Sequence, residues 1–463
     1  MYFPKKLLPK IVLVAGSLYL SGCVSLAPEY QRSGLKVPNH VENDPTSLVQ
    51  GKPSELSIPS WQAFIVEPQL QKTIQLALNK NNDLYLTALE VEEARVRFGI
   101  TASEKYPQIM ASMGGDYSRG FNSDSSLEKK YSSGVDISYE LDFFGRIKNL
   151  SEADKAKFLA SQEMNRATQI ITIKTVAEAY LDVIYNQQLL SIAEETKANY
   201  LNSQSIVMQK IVAGKANLSD LEQAKGQVQS VDIQIEKIRS EITRNKNLVD
   251  FLTNDYTDKI NFQASSYVPI TVPYNIPSEV LLKRPDVMAA EQNIIAENAN
   301  IGVARAAFFP SISFNTGIAS SNDSLSGLFD SSNGVWNFLP KITLPIFTGG
   351  KNSKNLELAN IRKNKAIVNY EKSIQVAFKE VKDTLTIKSS LDKQLLSQKN
   401  YVNTLNNILT QKQTSYHYGG ISYLDVLEAQ RDLFTEKQNL LLLEIEQQKN
   451  EINLFSALGG GLI

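Results

Sequence analysis

The sequence predicts a mixed α/β membrane fold in which long coiled-coil-like helices dominate and four β-strands per chain make up the rest. Three observations support this prediction. The turn around Gly419 repeats a turn around Gly214, which lies 205 residues earlier. Four segments alternate apolar and polar residues with the period of a β-strand. An N-terminal apolar stretch ends close to Cys23, the only cysteine of the chain.

The stretch 415–434 joins two long helical patterns through a tight turn. Gly419 and Gly420 supply the permissive backbone that a chain reversal needs. Ser422 can cap the following helix, because Asp425 stands three residues on, where a capping box favours an acidic side chain. We therefore predict a helical hairpin here.

A weaker copy of this turn occurs in the first half of the chain. Gly214 breaks a helical pattern, Asn217 takes the cap position and Asp220 corresponds to Asp425. Two such turns predict two long helical hairpins that arose by internal duplication. The predicted boundaries are a first copy at 61–256, a linker at 257–276 and a second copy at 277–463.

Composition excludes several functions. The net charge of −1 gives no basic surface that would attract nucleic acid. No run of 18 or more apolar residues follows the N-terminus, which argues against a spanning helix. Two histidines, His40 and His417, and one cysteine make no recognisable metal cluster, and no serine lies in a G-x-S-x-G motif. The sequence therefore predicts no catalytic centre, no metal and no cofactor.

The N-terminus predicts a lipoprotein. Residues 1–22 combine a basic start with a short apolar region, which is typical of a signal peptide. Their end, Leu20-Ser21-Gly22-Cys23, resembles a bacterial lipobox, although a simple signal peptide with an incidental cysteine is the alternative. Acyl chains on Cys23 would anchor the mature N-terminus, and residues 23–60 would lead away from the lipid as an extended segment. Val24 replaces the aspartate of inner-membrane retention, so this resemblance implies the outer membrane.

In the first copy, a helical period runs from Pro68 to about Lys105, with an interruption near Asn82-Asp83. The period then changes to that of a β-strand, which predicts one strand over 109–117 and a second from Val135 to Phe143. The polar segment 118–130 lies between these two strands. The second of these strands is apolar on one face and carries three carboxylates on the other. A strand on a soluble core gives the same pattern, but beside a lipobox it suits an outer-membrane barrel.

A much longer helical period follows, from about Lys148 to Val212, and its last forty residues alone would span about 60 Å. After Gly214 a heptad pattern predicts left-handed coiled-coil packing, although a long helix in a bundle gives the same local pattern. Its a positions are Leu221, Val228, Ile235, Ile242 and Val249, and its d positions are Ala224, Val231, Ile238, Asn245 and Leu252.

The second copy repeats this order. A helix that starts after Pro277 ends at Phe309-Pro310. Strands are predicted at 312–318 and 336–344 around the polar loop 320–334. The final helical patterns run to about Ser415 and to Leu458.

Seven motifs together resemble the TolC-type outer-membrane efflux factors, in the lipoprotein branch that includes OprM and NodT. They are LSGC (20–23), LAPEYQR (26–32), ELDFFGR (140–146), PSEVLLKRPDVMAAE (277–291), LPIFTGG (344–350), YLDVLEAQRDLF (423–434) and NLFSALGGG (453–461). No single motif is decisive, but the ordered set runs from residue 20 to the C-terminus.

Four strands cannot close a barrel, because bacterial barrels need at least about eight, so the strand count requires an oligomer of unspecified size. The resemblance implies a homotrimer with a shared twelve-stranded barrel and a helical barrel in the periplasm. It also implies an exit duct for small molecules, supplied by an inner-membrane pump through a periplasmic adaptor that docks at the hairpin ends. The exported substrates cannot be read from the sequence.

The resemblance assigns a periplasmic gate to the second turn. Asp425 and Glu428 match acidic positions at the constriction, Leu424 an apolar ring and Arg431 a basic partner. Tyr416 matches a tyrosine of the interhelical network that holds some members shut.

Other roles for these residues stay open. Ile421 replaces an arginine of the family network, which puts that part of the network in doubt. Asp425 can simply serve the helix N-terminus, and Glu428 with Arg431 can form a surface pair. A lipid-anchored coiled-coil tether without a pore is the alternative function, although a tether needs no strands. A soluble periplasmic enzyme would be a third class, but it lacks a catalytic constellation.

Overall fold

The computed structural model describes residues 25–32, 34, 36–42, 58–121, 125–257, 259–263 and 275–461. The predicted signal and Cys23 lie outside the described residues, as does most of the predicted linker. The chain divides into two compact units, and each draws on both predicted copies. Unit 1 comprises Met1–Gly34, Glu90–Gln162 and Ala289–Tyr370, and unit 2 comprises Leu35–Leu89, Glu163–Met288 and Glu371–Ile463.

Helices make up most of the described chain. In order they are α1 (Trp61–Phe64), α2 (Pro68–Lys80), α3 (Asn82–Ser103), α4 (Arg146–Val212), α5 (Leu218–Thr253), α6 (Pro285–Ala306), α7 (Lys351–His417) and α8 (Tyr423–Ala457). The predicted interruption of the first helical pattern is confirmed at Asn81, whose backbone is extended and whose side chain accepts a hydrogen bond from the Leu84 N–H at 3.0 Å. None of the described helices is both long and apolar enough to cross a membrane.

The heptad pattern of α5 coincides with burial, as both a coiled coil and a helix in a bundle predict. Seven of its ten a and d side chains are buried. Three of them, Val231, Ile235 and Ile238, belong to one apolar cluster, and the half-buried Val228 and Ile242 pack against it. That cluster also includes Tyr200 of α4 and Phe434 of α8. The apolar seam of α5 therefore packs on its neighbouring helices.

Unit 1 contains a four-stranded antiparallel sheet, whose strands pair in the order in which they follow each other along the chain. Its strands are β2 (Gln108–Ser118), β3 (Glu128–Leu141), β5 (Ser311–Asn322) and β6 (Gly334–Thr343). The register gives the sheet an apolar and a polar face, since successive side chains point to opposite faces. One apolar row is Ala111, Val135, Ile318 and Trp336, and the next row on the polar face is Met110, Asp136, Gly317 and Asn337.

The predicted ends of two strands are wrong. β3 begins at Glu128 rather than at Val135, and Phe143 lies beyond its end. β5 continues to Asn322, inside the predicted polar loop. In both strands the hydrogen-bonded pairing continues through polar residues, and Tyr131, for example, pairs with Asn322. Because these residues do not alternate between apolar and polar, the sequence pattern does not show that the strands extend so far.

A small sheet was not predicted. β1 (His40–Glu42) pairs antiparallel with β4 (Asn275–Pro277), so parts of the predicted extended segment and linker are ordered together. Strands of three residues are too short to display a period of two. The pair lies within unit 2 and joins residues more than 230 positions apart.

Residues 25–32 are held against α6 in unit 1. Arg32 donates to both carboxylate oxygens of Glu291, at 2.7 and 2.8 Å. Gly302 leaves room for this segment, since a Cβ there would lie 2.5 Å from Nδ2 of Asn149 and 2.8 Å from the Ala27 nitrogen. The LAPEYQR motif therefore follows a fixed path.

A charged group within the helices of unit 2 gives a pH-dependent prediction. Burial raises the pKa of the Glu178 carboxyl, Asp182 adds to the shift, and Lys174 and Lys449 oppose it. When the pKa of a carboxyl is higher in the folded than in the unfolded protein, its ionisation lowers the free energy of unfolding. This loss is absent below the pKa of the unfolded state and complete above the pKa of the folded state. Glu178→Gln should therefore raise the melting temperature at about pH 8 and leave it unchanged at about pH 4.

Melting curves of the purified protein in detergent at both pH values test this expectation. Glu236→Gln on the exposed side of α5 is the control, because it also removes one carboxylate. An equal gain for Glu178→Gln at both pH values would contradict the role of its charge.

Candidate functional site

The two helical hairpins of unit 2 reverse at glycines in the left-handed backbone region. Gly214 lies between α4 and α5 with φ of +70°, and Gly419 lies between α7 and α8 with φ of +83°. Side chains other than glycine are strained there. Gly420 is not among the residues with positive φ, so the predicted need for glycine holds at Gly419 and is wrong at Gly420.

Both predicted capping boxes form. At the first turn, Oδ1 of Asn217 accepts from the Asp220 N–H at 2.9 Å, and Oδ2 of Asp220 accepts from the Asn217 N–H at 3.3 Å. At the second turn, Oγ of Ser422 accepts from the Asp425 N–H at 3.4 Å, and Oδ2 of Asp425 accepts from the Ser422 N–H at 3.0 Å. These contacts satisfy backbone donors that a helix start leaves open.

The carboxylate of Asp425 has a defined local role. The Ser422 hydroxyl also donates to its Oδ2 at 2.6 Å. Hydrogen bonds from the side chain and backbone of Ser422 hold the pKa of Asp425 below its usual range, because they favour the charged form. Asp425 therefore carries a negative charge at neutral pH while it caps α8.

An apolar cluster joins the two hairpin ends. Its buried members are Val207, Leu221, Ala224, Tyr423 and Leu427, and Ile211 and Tyr416 pack against it. The rings of Tyr416 and Tyr423 lie 5.7 Å apart at an angle of 51°. Burial raises the pKa of Tyr423 to about 12, so this ring stays neutral.

Lys210 at the end of α4 binds Tyr416 at the end of α7. Its Nζ lies 3.6 Å from the centre of the Tyr416 ring and donates to the Tyr416 main-chain oxygen. Burial lowers the pKa of Lys210. The Tyr416 hydroxyl is buried and has no hydrogen-bond partner in the described part of the chain. The two hairpins are thus linked through a cation and an aromatic ring.

Sequence reasoning identified Tyr416 but missed Lys210. The duplicated turns align Lys210 with Ser415, so the internal repeat gives no sign of its role. Sequence reasoning also missed Gln430, which is buried on α8 and donates to Oγ of Ser203 on α4 at 2.9 Å. Only the packing of the hairpins reveals these partners.

The other predicted gate residues lie on one accessible side of α8. Leu424 is 48% exposed, and Glu428 and Arg431 are exposed as well. Nε of Arg431 donates to Oε1 of Gln227 at 3.2 Å. The surface pair between Glu428 and Arg431 is therefore absent, and Glu428 has no ion pair within the described ranges.

No group of three or more histidine, cysteine, aspartate or glutamate side chains that could hold a metal occurs among the described residues. The hairpin ends offer carboxylates, a cation and apolar side chains. Such an arrangement suits control of passage or binding of a partner.

The chain matches the family model described as outer membrane efflux protein over residues 73–255 and 276–460. It is 43% identical to the probable outer membrane lipoprotein SilC of Salmonella typhimurium over 98% of this chain and 99% of that protein. It is 41% identical to the cation efflux system protein CusC of Escherichia coli K12 over 99% of this chain and 100% of that protein.

A crystal structure of CusC, reported with conformational changes that accompany folding and transmembrane channel formation, is similar throughout. Its TM-score is 0.88 at 40% identity, and the match covers 95% of this chain and all of that chain.

Proposed function

Because the chain belongs to the outer membrane efflux protein family, we propose that three copies form the exit duct of a tripartite efflux system. Export across the outer membrane is the function of the family, and the chain acts there as an efflux channel. Relatives named as efflux proteins favour this function over a tether without a pore.

The four-stranded sheet carries the proposal. Its apolar face is open to the surroundings, with Ile109, Trp336 and Ile342 about 70% exposed. In the described chain β2 and β6 each pair on one side only, and an open edge cannot stay unpaired in lipid. Pairing β6 with β2 of the next copy closes the sheet, and three copies give the twelve strands of an ordinary barrel.

In this arrangement the apolar face meets lipid and the polar face lines the pore. The helical hairpins form the periplasmic part of the duct. Lipidation of Cys23 anchors the N-terminus in the membrane. A periplasmic adaptor docks at the hairpin ends and connects an inner-membrane pump.

The accessible side of α8 lines the constriction. Leu424 contributes an apolar ring, and Asp425 and Glu428 contribute carboxylates from each copy. Like charges around one axis favour cations and resist tight closure unless they are paired. The name of the CusC relative, a cation efflux system protein, supports cations as the cargo.

Glu428→Gln is expected to reduce cation selectivity more than Asp425→Asn. Glu428 has no ion pair in the described part of the chain, whereas Asp425 is bound by Ser422. Asparagine keeps an oxygen that can accept the Ser422 hydrogen bonds, so Asp425→Asn removes charge without removing the cap. Reversal potentials in planar bilayers with a salt gradient measure the effect.

Asp220→Asn is the matched control, because it makes the same change in the other capping box. Selectivity unchanged in both Glu428→Gln and Asp425→Asn would reject the constriction. A chain that is monomeric and never conducts would reject the duct itself. If the chain forms a trimer that does not conduct by itself, the proposed duct requires that this trimer conducts once its adaptor is added.

A further inference from the structure

All four connections between the helices and the sheet of unit 1 lie along the edge that the strand ends form, which is distinct from the unpaired sides of β2 and β6. β2 and β5 begin at this edge, and β3 and β6 end there, since Leu141 pairs with Ile312 and Ser311 pairs with Thr343. The connections are 104–107, 142–145, 307–310 and 344–350. Side chains in these four segments therefore lie at one level of the sheet.

Each connection exposes an aromatic ring. The exposed fractions are 70% for Tyr106, 49% for Phe143, 41% for Phe308 and 90% for Phe347. The fourth connection also exposes Ile346 at 93%. A soluble surface has little reason to expose large apolar side chains at every one of four equivalent places.

An exposed cation accompanies each of these rings. Lys105, Lys148, Arg305 and Lys351 lie one to five residues away, toward the helix in every case. The three lysines form no ion pair in the described ranges, and Arg305 donates only to the Leu26 carbonyl, at 3.0 Å. The four rings and four cations are called the edge belt below.

Three carboxylates at this edge are already bound within the protein. Glu104 and Glu140 both pair with Arg146, at 3.7 and 2.9 Å. Asp142 accepts from the Ile147 and Lys148 N–H groups at 3.1 and 2.7 Å. The lysines of the edge belt therefore form no ion pair with these three carboxylates in the described ranges.

We propose that the edge belt binds the headgroups of anionic phospholipids. The rings enter the boundary between the acyl chains and the headgroups, and the cations bind the phosphates from the helix side. Aromatic rings and lysines are the side chains that favour this boundary, and clustered cations attract anionic lipid. This inference rests on the proposed insertion of the sheet, which fixes the depth of its edge.

The fourth connection is the strongest point of the belt. Ile346 and Phe347 are almost fully exposed, and Lys351 begins α7 four residues after Phe347. At the corresponding connection of the first copy, 142–145, Phe144 instead stacks on Phe309, with ring centres 4.7 Å apart. The second copy therefore exposes an aromatic ring, Phe347, whose counterpart in the first copy is used for internal packing.

Lipid-specific fluorescence quenching tests this inference on the full chain. Phe347→Cys introduces a thiol for a small fluorophore, and labelling of the unaltered chain measures any background from Cys23. The protein is reconstituted in phosphatidylcholine vesicles with one-fifth of the lipid replaced. The replacement is nitroxide-labelled phosphatidylglycerol in one sample and nitroxide-labelled phosphatidylcholine in the other.

We expect about threefold more quenching by the phosphatidylglycerol label, since cations at the membrane surface concentrate anionic lipid. Replacing Lys105, Lys148 and Lys351 by glutamine should bring the ratio of the two lipids close to one. The same change at Lys237, Lys259 and Lys382, which are exposed lysines of unit 2, should leave the ratio unchanged.

Equal quenching by both lipids would overturn the headgroup site and leave the inserted sheet intact. Absence of quenching would overturn the belt altogether. A second label at Ile342→Cys, on the apolar face of β6, then separates the two proposals. If that label is quenched, the barrel stands without the belt; if it is not, insertion of the sheet fails too.

Discussion

Replacing Arg284 by alanine is expected to lower the free energy of unfolding by about 3 kcal/mol, because it breaks a buried network of charged hydrogen bonds. The guanidinium is only 9% exposed. It donates to Asp286 at 2.9 and 3.1 Å, to Glu380 at 2.8 Å and to the Ala457 carbonyl at 2.7 Å. It thereby joins the start of α6, the middle of α7 and the end of α8.

The expected loss of unfolding free energy lies at the lower end of the range for breaking a buried ion pair. Asp286 and Glu380 are 35% and 46% exposed, so water can replace part of what they lose. The Ala457 carbonyl has no such compensation, and the removed side chain leaves a cavity. Arg284→Lys should recover part of the loss, because an ammonium keeps the charge without the planar set of donors.

Denaturant unfolding of the purified protein measures the change. Arg239→Ala is the matched control, since Arg239 is 53% exposed and also pairs with two carboxylates. Exposed pairs contribute about 0–1 kcal/mol. If Arg239→Ala and Arg284→Ala destabilise the protein equally, the buried network is not what holds these three helices together.

The hairpin turns could be predicted because their determinants are local. Gly214 and Gly419 stand where the backbone turns left-handed, and Asn217 and Ser422 cap the helices that follow. Each of these features depends on residues fewer than four positions apart, which a sequence displays directly. The heptads of α5 are predictable for a similar reason, since burial repeats with the helical period.

Features that depend on distant partners could not be predicted. Arg284 lies in a motif that supported the family resemblance, yet its partner Ala457 is 173 positions away. β1 pairs with β4 across a similar distance and is too short to show a period. Lys210 has no local signature at all. Such contacts are selected by the packed fold, so the chain order does not display them.

Lys210→Ala is expected to raise the open fraction of the channel about 5-fold to 30-fold. A cation over an aromatic ring contributes about 1–2 kcal/mol when partly desolvated, and 1.4 kcal/mol is a factor of ten in population. We expect this effect because opening would separate the end of α4 from the end of α7, where Lys210 contacts the ring and main-chain oxygen of Tyr416. Single-channel recordings without adaptor measure the open fraction.

Two substitutions of Tyr416 decide which part of the residue acts. The hydroxyl has no partner in the described part of the chain, so Tyr416→Phe should conduct like the unaltered channel. Tyr416→Leu removes the ring and should open the channel as much as Lys210→Ala does. Lys225→Ala, which removes an exposed lysine that pairs with Glu222, controls for lost charge.

The outcome separates two kinds of lock. A lock made by a hydrogen bond of the Tyr416 hydroxyl would open in Tyr416→Phe and stay shut in Lys210→Ala. A lock made by the ring and the cation would respond in the opposite way. If Lys210→Ala and Tyr416→Leu each open the channel, combining them should add little, because both remove the same contact. Additive effects would mean that the two residues hold the hairpins independently.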